Sequence, residues 1–120
     1  MLHLAYSALV IATLSALAEP NRLRIVELLR ERPRPVGEIV ERLRLQQPQV
    51  SKHLRVLGAA GLVESRPAAQ WRIYVLRPEP LQELDAWLEK YRRRWEANFQ
   101  RLDAVLEELK TRKKRPRTKR

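Results

Sequence analysis

The sequence predicts a mainly α-helical protein with one small β-hairpin, and three patterns carry that expectation. Apolar residues at helical spacing fill the first half and are punctuated by prolines. A short segment rich in β-branched and aromatic residues, Trp71, Ile73, Tyr74 and Val75, follows. From Leu81 onward apolar positions alternate at spacings of three and four.

Residues 2–18 are apolar on nearly every helical face, with Leu4, Leu9, Val10, Ile11, Leu14 and Leu17 spread around the cylinder. Such a helix must be covered on all sides to stay in water. Ala16, Leu17 and Ala18 resemble a signal-peptide cleavage site, but no positive charge precedes the apolar run, as a leader would require. The run is also shorter than the roughly 20 residues that span a bilayer. Secretion and membrane insertion are therefore not expected, and the cytoplasm is the expected compartment.

Glu19 and Pro20 break the pattern, and Pro20 suits the first turn of a second helix over residues 21–31. Pro33 and Pro35 enclose a short extended connection. Ile39, Val40 and Leu43 mark a third helix ending near Arg44, and a fourth opens at residues 46–48. Gly58 and Gly61 are placed to close it. Residues 62–66 and 71–77 read as the two strands of a hairpin, with a glycine-free loop over 67–70.

From Leu81, residues Leu84, Leu88, Tyr91, Trp95, Leu102, Val105 and Leu109 form a coiled-coil-like seam in a last helix over about residues 81–109. At 1.5 Å per residue that helix is roughly 43 Å long, more than so small a body can cover. A second copy of the chain is the natural cover. Leu9, Leu14, Leu84, Leu88, Tyr91, Trp95 and Leu102 are the expected dimer contacts. Asn98, in the remaining seam position, either specifies register or turns outward in favour of Phe99.

The 120 residues hold 25 Lys and Arg against 14 Asp and Glu, a formal charge of +11. Eight of the basic residues lie in residues 110–120, which leaves 17 against 14, or +3, for residues 1–109. Residues 1–109 are thus expected to form one folded domain, and 110–120 a disordered basic tail that either adds affinity for a polyanion or only solubilises. A basic excess points to nucleic acid or an anionic membrane surface. Cysteine is absent, which removes disulfides, thiolate metal sites and cysteine nucleophiles. With three glycines and no nucleophile–base pair or phosphate loop, no enzymatic chemistry is expected.

On the fourth helix, Val50, Leu54 and Leu57 form a narrow apolar stripe. Gln49, Lys52, Arg55 and Val56 point the other way, with Ser51 and His53 on the flanks. Gln can pair with adenine through two hydrogen bonds, Lys and Arg reach guanine or phosphate, and Ser serves base or backbone. The face belongs to the second helix of a helix–turn–helix, the one that enters the major groove. Arg66, Gln70 and Arg72 surround the hairpin tip and suit contact with the sugar–phosphate backbone or minor groove. A face of this kind could also dock a protein, but its basic character favours DNA.

The stretches ALAEPNRLRIVELL at 16–29, residues 36–45, and QQPQVSKHLRVLGAAGLV at 46–63 together resemble the ArsR-type winged helix–turn–helix repressors across the whole DNA-binding core. The resemblance implies a homodimer joined through the first and last helices, a recognition helix over about 47–60 and a wing over about 62–76. It implies double-stranded DNA as partner, repression by occupying an operator, and Gln47 among the contacts. Two departures stand out. Gln46 occupies the usual Ser or Thr cap position. The cysteine pair of metal-sensing members is missing from PVGEIVERL at 35–43, and no His follows His53 for the alternative site on the last helix. His3 and His53 are the only histidines, so no metal or other cofactor is expected, and no small-molecule effector is indicated. His53 matches a histidine common on the family's recognition helix, where packing or a phosphate contact is implied.

Overall fold

A computed structural model describes residues 2–114, with side chains placed for residues 8–113. The order is α1 (Leu2–Leu17), α2 (Pro20–Glu31), β1 (Arg34–Pro35), α3 (Val36–Leu43), α4 (Gln47–Ala59), β2 (Val63–Ala68), β3 (Trp71–Leu76) and α5 (Glu79–Lys114). The chain divides into two compact units, Met1–Asp85 and Ala86–Arg120, where the sequence suggested one domain through Leu109.

Within the first unit, Val10, Thr13 and Ala16 of α1 are buried, three residues apart on one face. Leu9, Ile11 and Leu14 remain exposed, so over residues 8–17 the chain itself covers only one side of this helix. Arg22 Nε donates to the Ala16 carbonyl at 2.7 Å and serves an acceptor that the end of α1 leaves open. Glu19 caps α2 by accepting from the Arg22 N–H at 2.8 Å, with Pro20 in the first turn. Ile25, Val26 and Leu29 of α2, Ile39 and Leu43 of α3, and Val50, Leu54 and Leu57 of α4 converge in one core with Leu62 and Val63. On α3 and α4 the apolar positions read from the sequence, Ile39, Leu43, Val50, Leu54 and Leu57, are the ones that pack, whereas on α2 Ile25 is buried and Leu23 is exposed.

The turn between α3 and α4 passes through Arg44 in the left-handed region at φ 56°. Gly61 (φ 76°) ends α4: its N–H donates to the Gly58 carbonyl and the Leu62 N–H to the Leu57 carbonyl, each at 3.0 Å. That pair of bonds is a Schellman closure, in which a residue without Cβ avoids a steric penalty. Gly58 stays inside the helix, so the closure belongs to Gly61 alone.

The first strand of the hairpin runs two residues further toward the tip than expected, and the loop is correspondingly tighter. Register runs from Val63 opposite Leu76 to Ala68 opposite Trp71, which leaves Ala69 and Gln70 as the loop and puts Ala69 at φ 57°. The connection between Pro33 and Pro35 does more than extend: Arg34 and Pro35 pair antiparallel with Tyr74 and Ile73. The sheet is therefore three-stranded in the order β1-β3-β2, with Pro35 and Pro67 on its two outer strands.

In the second unit α5 continues to Lys114, past the expected end at Leu109, and so overrides the expected tail over residues 110–114. Opposite charges one turn apart, Glu107 with Lys110 at 3.5 Å and Glu108 with Arg112 at 2.9 Å, favour the helix there. The tail expected over residues 115–120 lies outside the described residues. Trp87 and Tyr91 meet edge to face with centroids 5.0 Å apart. Leu88, Tyr91, Trp95, Phe99, Leu102, Val105, Leu106 and Leu109 are all exposed in this chain. No helix among the described residues is long and apolar enough to cross a membrane.

Candidate nucleic-acid interface

Helix α4 is fastened by Val50, Leu54 and Leu57, and that stripe decides what faces out. Gln47, Gln49, Lys52 and Arg55 are exposed, Ser51 and His53 are half-buried, and no acidic residue occurs from Gln47 to Ala59. Gln46, in the usual Ser or Thr position, takes part in a capping box with Gln49, whose Oε1 accepts the Gln46 N–H at 3.2 Å. In the free protein Gln49 thus closes the start of its own helix. His53 turns inward. Its Nδ1 is buried without a hydrogen-bond partner among the described residues and lies 3.6 Å from Glu19 Oε2.

On the hairpin, Arg72 Nη1 donates to Ser65 Oγ at 2.8 Å across the two strands, which holds the guanidinium over the outer sheet. Arg66 Nε donates to Glu64 Oε1 at 2.8 Å, and Arg77 Nη1 to Glu64 Oε2 at 3.1 Å. Arg77 is held above its ordinary pKa, first by its hydrogen bond to Glu79 and then by the negative charges of Glu79 and Glu64. Gln70 sits exposed in the loop. A cleft of about 370 Å³ lies between α4 and the hairpin, lined by Ser51, Leu54, Arg55, Glu64, Ser65 and Tyr74.

The fold thus gathers Ser51 and Arg55 of α4 around one cleft with the hairpin, while Arg66, Gln70 and Arg72 are exposed on the hairpin itself. Three features escaped the sequence reading. Trp71 is 58% exposed beside Arg72 at the hairpin tip. Glu64 engages Arg66, and Ser65 orients Arg72. Ser65 meets Arg72 on the diagonal, since Pro67 lies opposite Arg72, and the register that decides this depends on the two-residue loop. Among the described residues no three His, Asp or Glu side chains are grouped to hold a metal ion.

Residues 19–65 match the family described as "Bacterial regulatory protein, arsR family". The transcriptional regulator Rv2034 of Mycobacterium tuberculosis is 43% identical over 76 residues, 63% of this chain and 71% of that protein. The chain belongs to the ArsR family. Its relatives in the family include the transcriptional repressor SmtB of M. tuberculosis, 46% identical over 63 residues, 52% of this chain and about half (47%) of SmtB. The solved structure of HlyU from Vibrio cholerae superposes with a TM-score of 0.60 at 35% identity, covering 71% of this chain and 94% of HlyU. The mainly helical body with its small antiparallel sheet is the ArsR-family winged helix–turn–helix, as the sequence resemblance implied. The family match spans α2 to the start of β2 and so contains the whole of α3 and α4.

Proposed function

We propose that this protein is a cytoplasmic, sequence-specific DNA-binding regulator of transcription that acts as a homodimeric repressor on an inverted-repeat operator. The observation that carries the reading is the exposed, acid-free face of α4, with Gln47, Gln49, Lys52 and Arg55 beside a hairpin bearing Arg66 and Arg72. Ser51 lies at the edge of that face, where it serves base or phosphate. His53, whose Nδ1 is buried, acts as a packing residue that sets the tilt of α4. The hairpin runs along the backbone through Arg66, Gln70 and Arg72.

The dimer uses surface that one chain leaves bare, Leu9 and Leu14 on α1 and Leu88, Tyr91, Trp95 and Leu102 along α5, together with the half-buried Leu84. Two recognition helices related by the dimer axis then enter successive major grooves roughly 34–36 Å apart. Repression needs only occupancy of a promoter, and relatives such as SmtB carry that role by name. No metal or catalytic step is part of this reading, since the family's cysteine pair is absent.

The test is selection from a pool of random duplexes at near-physiological salt, with the full chain and with a chain ending at Lys114. Enrichment of one inverted repeat by both supports a dimeric, sequence-specific regulator. Enrichment of nothing, or binding that vanishes with residues 115–120, turns the reading toward a winged-helix module that docks a protein.

A further inference from the structure

Strand β1 is too short to place itself. It has only two residues, so its pairing with β3 offers few hydrogen bonds of its own. Yet that pairing is at Ile73 and Tyr74, next to Arg72 in β3. Whatever holds β1 also holds the base of the hairpin.

Arg34 provides the hold. It is 2% exposed, an unusual place for a guanidinium, and its fork is used in three directions. Nε donates to the Leu28 carbonyl of α2 at 3.1 Å, Nη2 donates to Glu31 Oε1 of α2 at 2.6 Å, and Nη1 donates to Glu38 Oε1 of α3. Arg32 reaches the same Glu38 oxygen from the more exposed side. One rigid side chain therefore ties the last turn of α2 and the first turn of α3 to the strand that pairs with the hairpin. A lysine ammonium cannot reproduce this, because it lacks the planar fork that meets two carboxylates and a carbonyl at fixed angles. Buried ion networks of this kind contribute little net stability compared with apolar packing, so fixing geometry is the role left to it.

We propose that Arg34 is a positioning residue for DNA binding: by locking β1 to α2 and α3 at once, it fixes β3 and so the reach of Arg72 to a backbone phosphate. The inference rests on the DNA-binding reading of the hairpin, and its test separates the two.

The full chain and Arg34→Met are compared, each with and without Arg72→Ala, on a fluorescein-labelled random-sequence duplex over a range of salt. Amide hydrogen exchange of residues 73–76 is measured in the absence of DNA. In the native background Arg72→Ala lowers the salt slope by about 0.9, the contribution of one phosphate. In the Arg34→Met background it changes nothing, and residues 73–76 exchange faster while α4 keeps its protection. If Arg34→Met lowers only the melting temperature, with residues 73–76 still protected and Arg72→Ala as costly as before, the proposal is overturned. Should Arg34→Met not fold, Glu38→Gln, which removes one anchoring charge at a partly exposed site, carries the same comparison. If the unaltered chain binds no duplex, the DNA reading fails, and the exchange of residues 73–76 alone decides whether Arg34 sets the strand.

Discussion

His53 Nδ1 on α4 lies 3.6 Å from Glu19 Oε2, the same carboxylate oxygen that caps α2 by accepting the Arg22 N–H. The start of α2 and the flank of α4 thus meet at a single carboxylate. Glu19→Ala removes the cap, and loss of an N-cap costs about 1 kcal/mol. Urea denaturation should show that loss. His53→Ala, which deletes no cap, should cost less, and a larger loss for His53→Ala would contradict this ranking.

The end of α4 depends on backbone conformation more than on contact. A Cβ at Gly61 would meet only Pro80 Cγ at 3.6 Å, an ordinary separation, but φ is 76°. Gly61→Ala should therefore destabilise by about 1 kcal/mol through the left-handed conformation. Ala69 (φ 57°) tests the same physics with opposite sign. Ala69→Gly should leave the melting temperature unchanged or raised, because relief of strain offsets the added freedom of the unfolded chain.

Base and backbone contacts should separate in mutagenesis. Gln49→Ala or Lys52→Ala is expected to shift which sequences are enriched, whereas Arg72→Ala should weaken all duplexes nearly alike. Relaxed preference at a single base pair on losing Arg72 would place the hairpin at base edges instead. Gln49 has an added consequence: it must release the Gln46 N–H to reach a base, so its replacement should also loosen the first turn of α4.

Acid should act on Glu38. Burial raises its pKa, but hydrogen bonds from Arg34 and Arg32, reinforced by their charges, outweigh that and hold it below the ordinary 4.5. A carboxylate lowered on folding stabilises the protein above its unfolded pKa, and that contribution disappears as pH falls through the folded value. Glu38→Gln should therefore be less stable than the native chain at neutral pH, with the gap closing in acid below that 4.5. A gap that stays constant with pH in urea titrations would rule out this role.

The exposed seam of α5 predicts association. Trp95 and Leu102 are 60% and 50% exposed in one chain. Replacing either with Glu should convert a dimer to monomer in sedimentation velocity while helix content persists. Unchanged sedimentation would place the dimer contacts elsewhere.

Much of this molecule was legible in its residues because α3 and α4 follow one rule: Ile39 and Leu43, then Val50, Leu54 and Leu57, recur at the spacing that puts them on one side of each helix. Arg34 was not legible, since an arginine beside two prolines reads as exposed connection, and only tertiary partners from two helices make its burial possible. The third strand was missed for the same reason. Residues 110–114 read as tail by composition, whereas Lys110 and Arg112 pair with Glu107 and Glu108 one turn back. At the candidate interface the outward face of α4 followed from its apolar stripe, but the inward turn of His53 followed from Glu19, thirty-four positions away in sequence.

The two prolines on the outer strands bear on how these molecules crowd together. A hairpin held out from a body offers its bare edge to any neighbouring strand, and molecules lined up on one polymer would bring such edges close. Pro35 on one edge and Pro67 on the other each withdraw a donor from that invitation. Neighbours could then sit side by side without merging their sheets, which would leave any self-association to the helices.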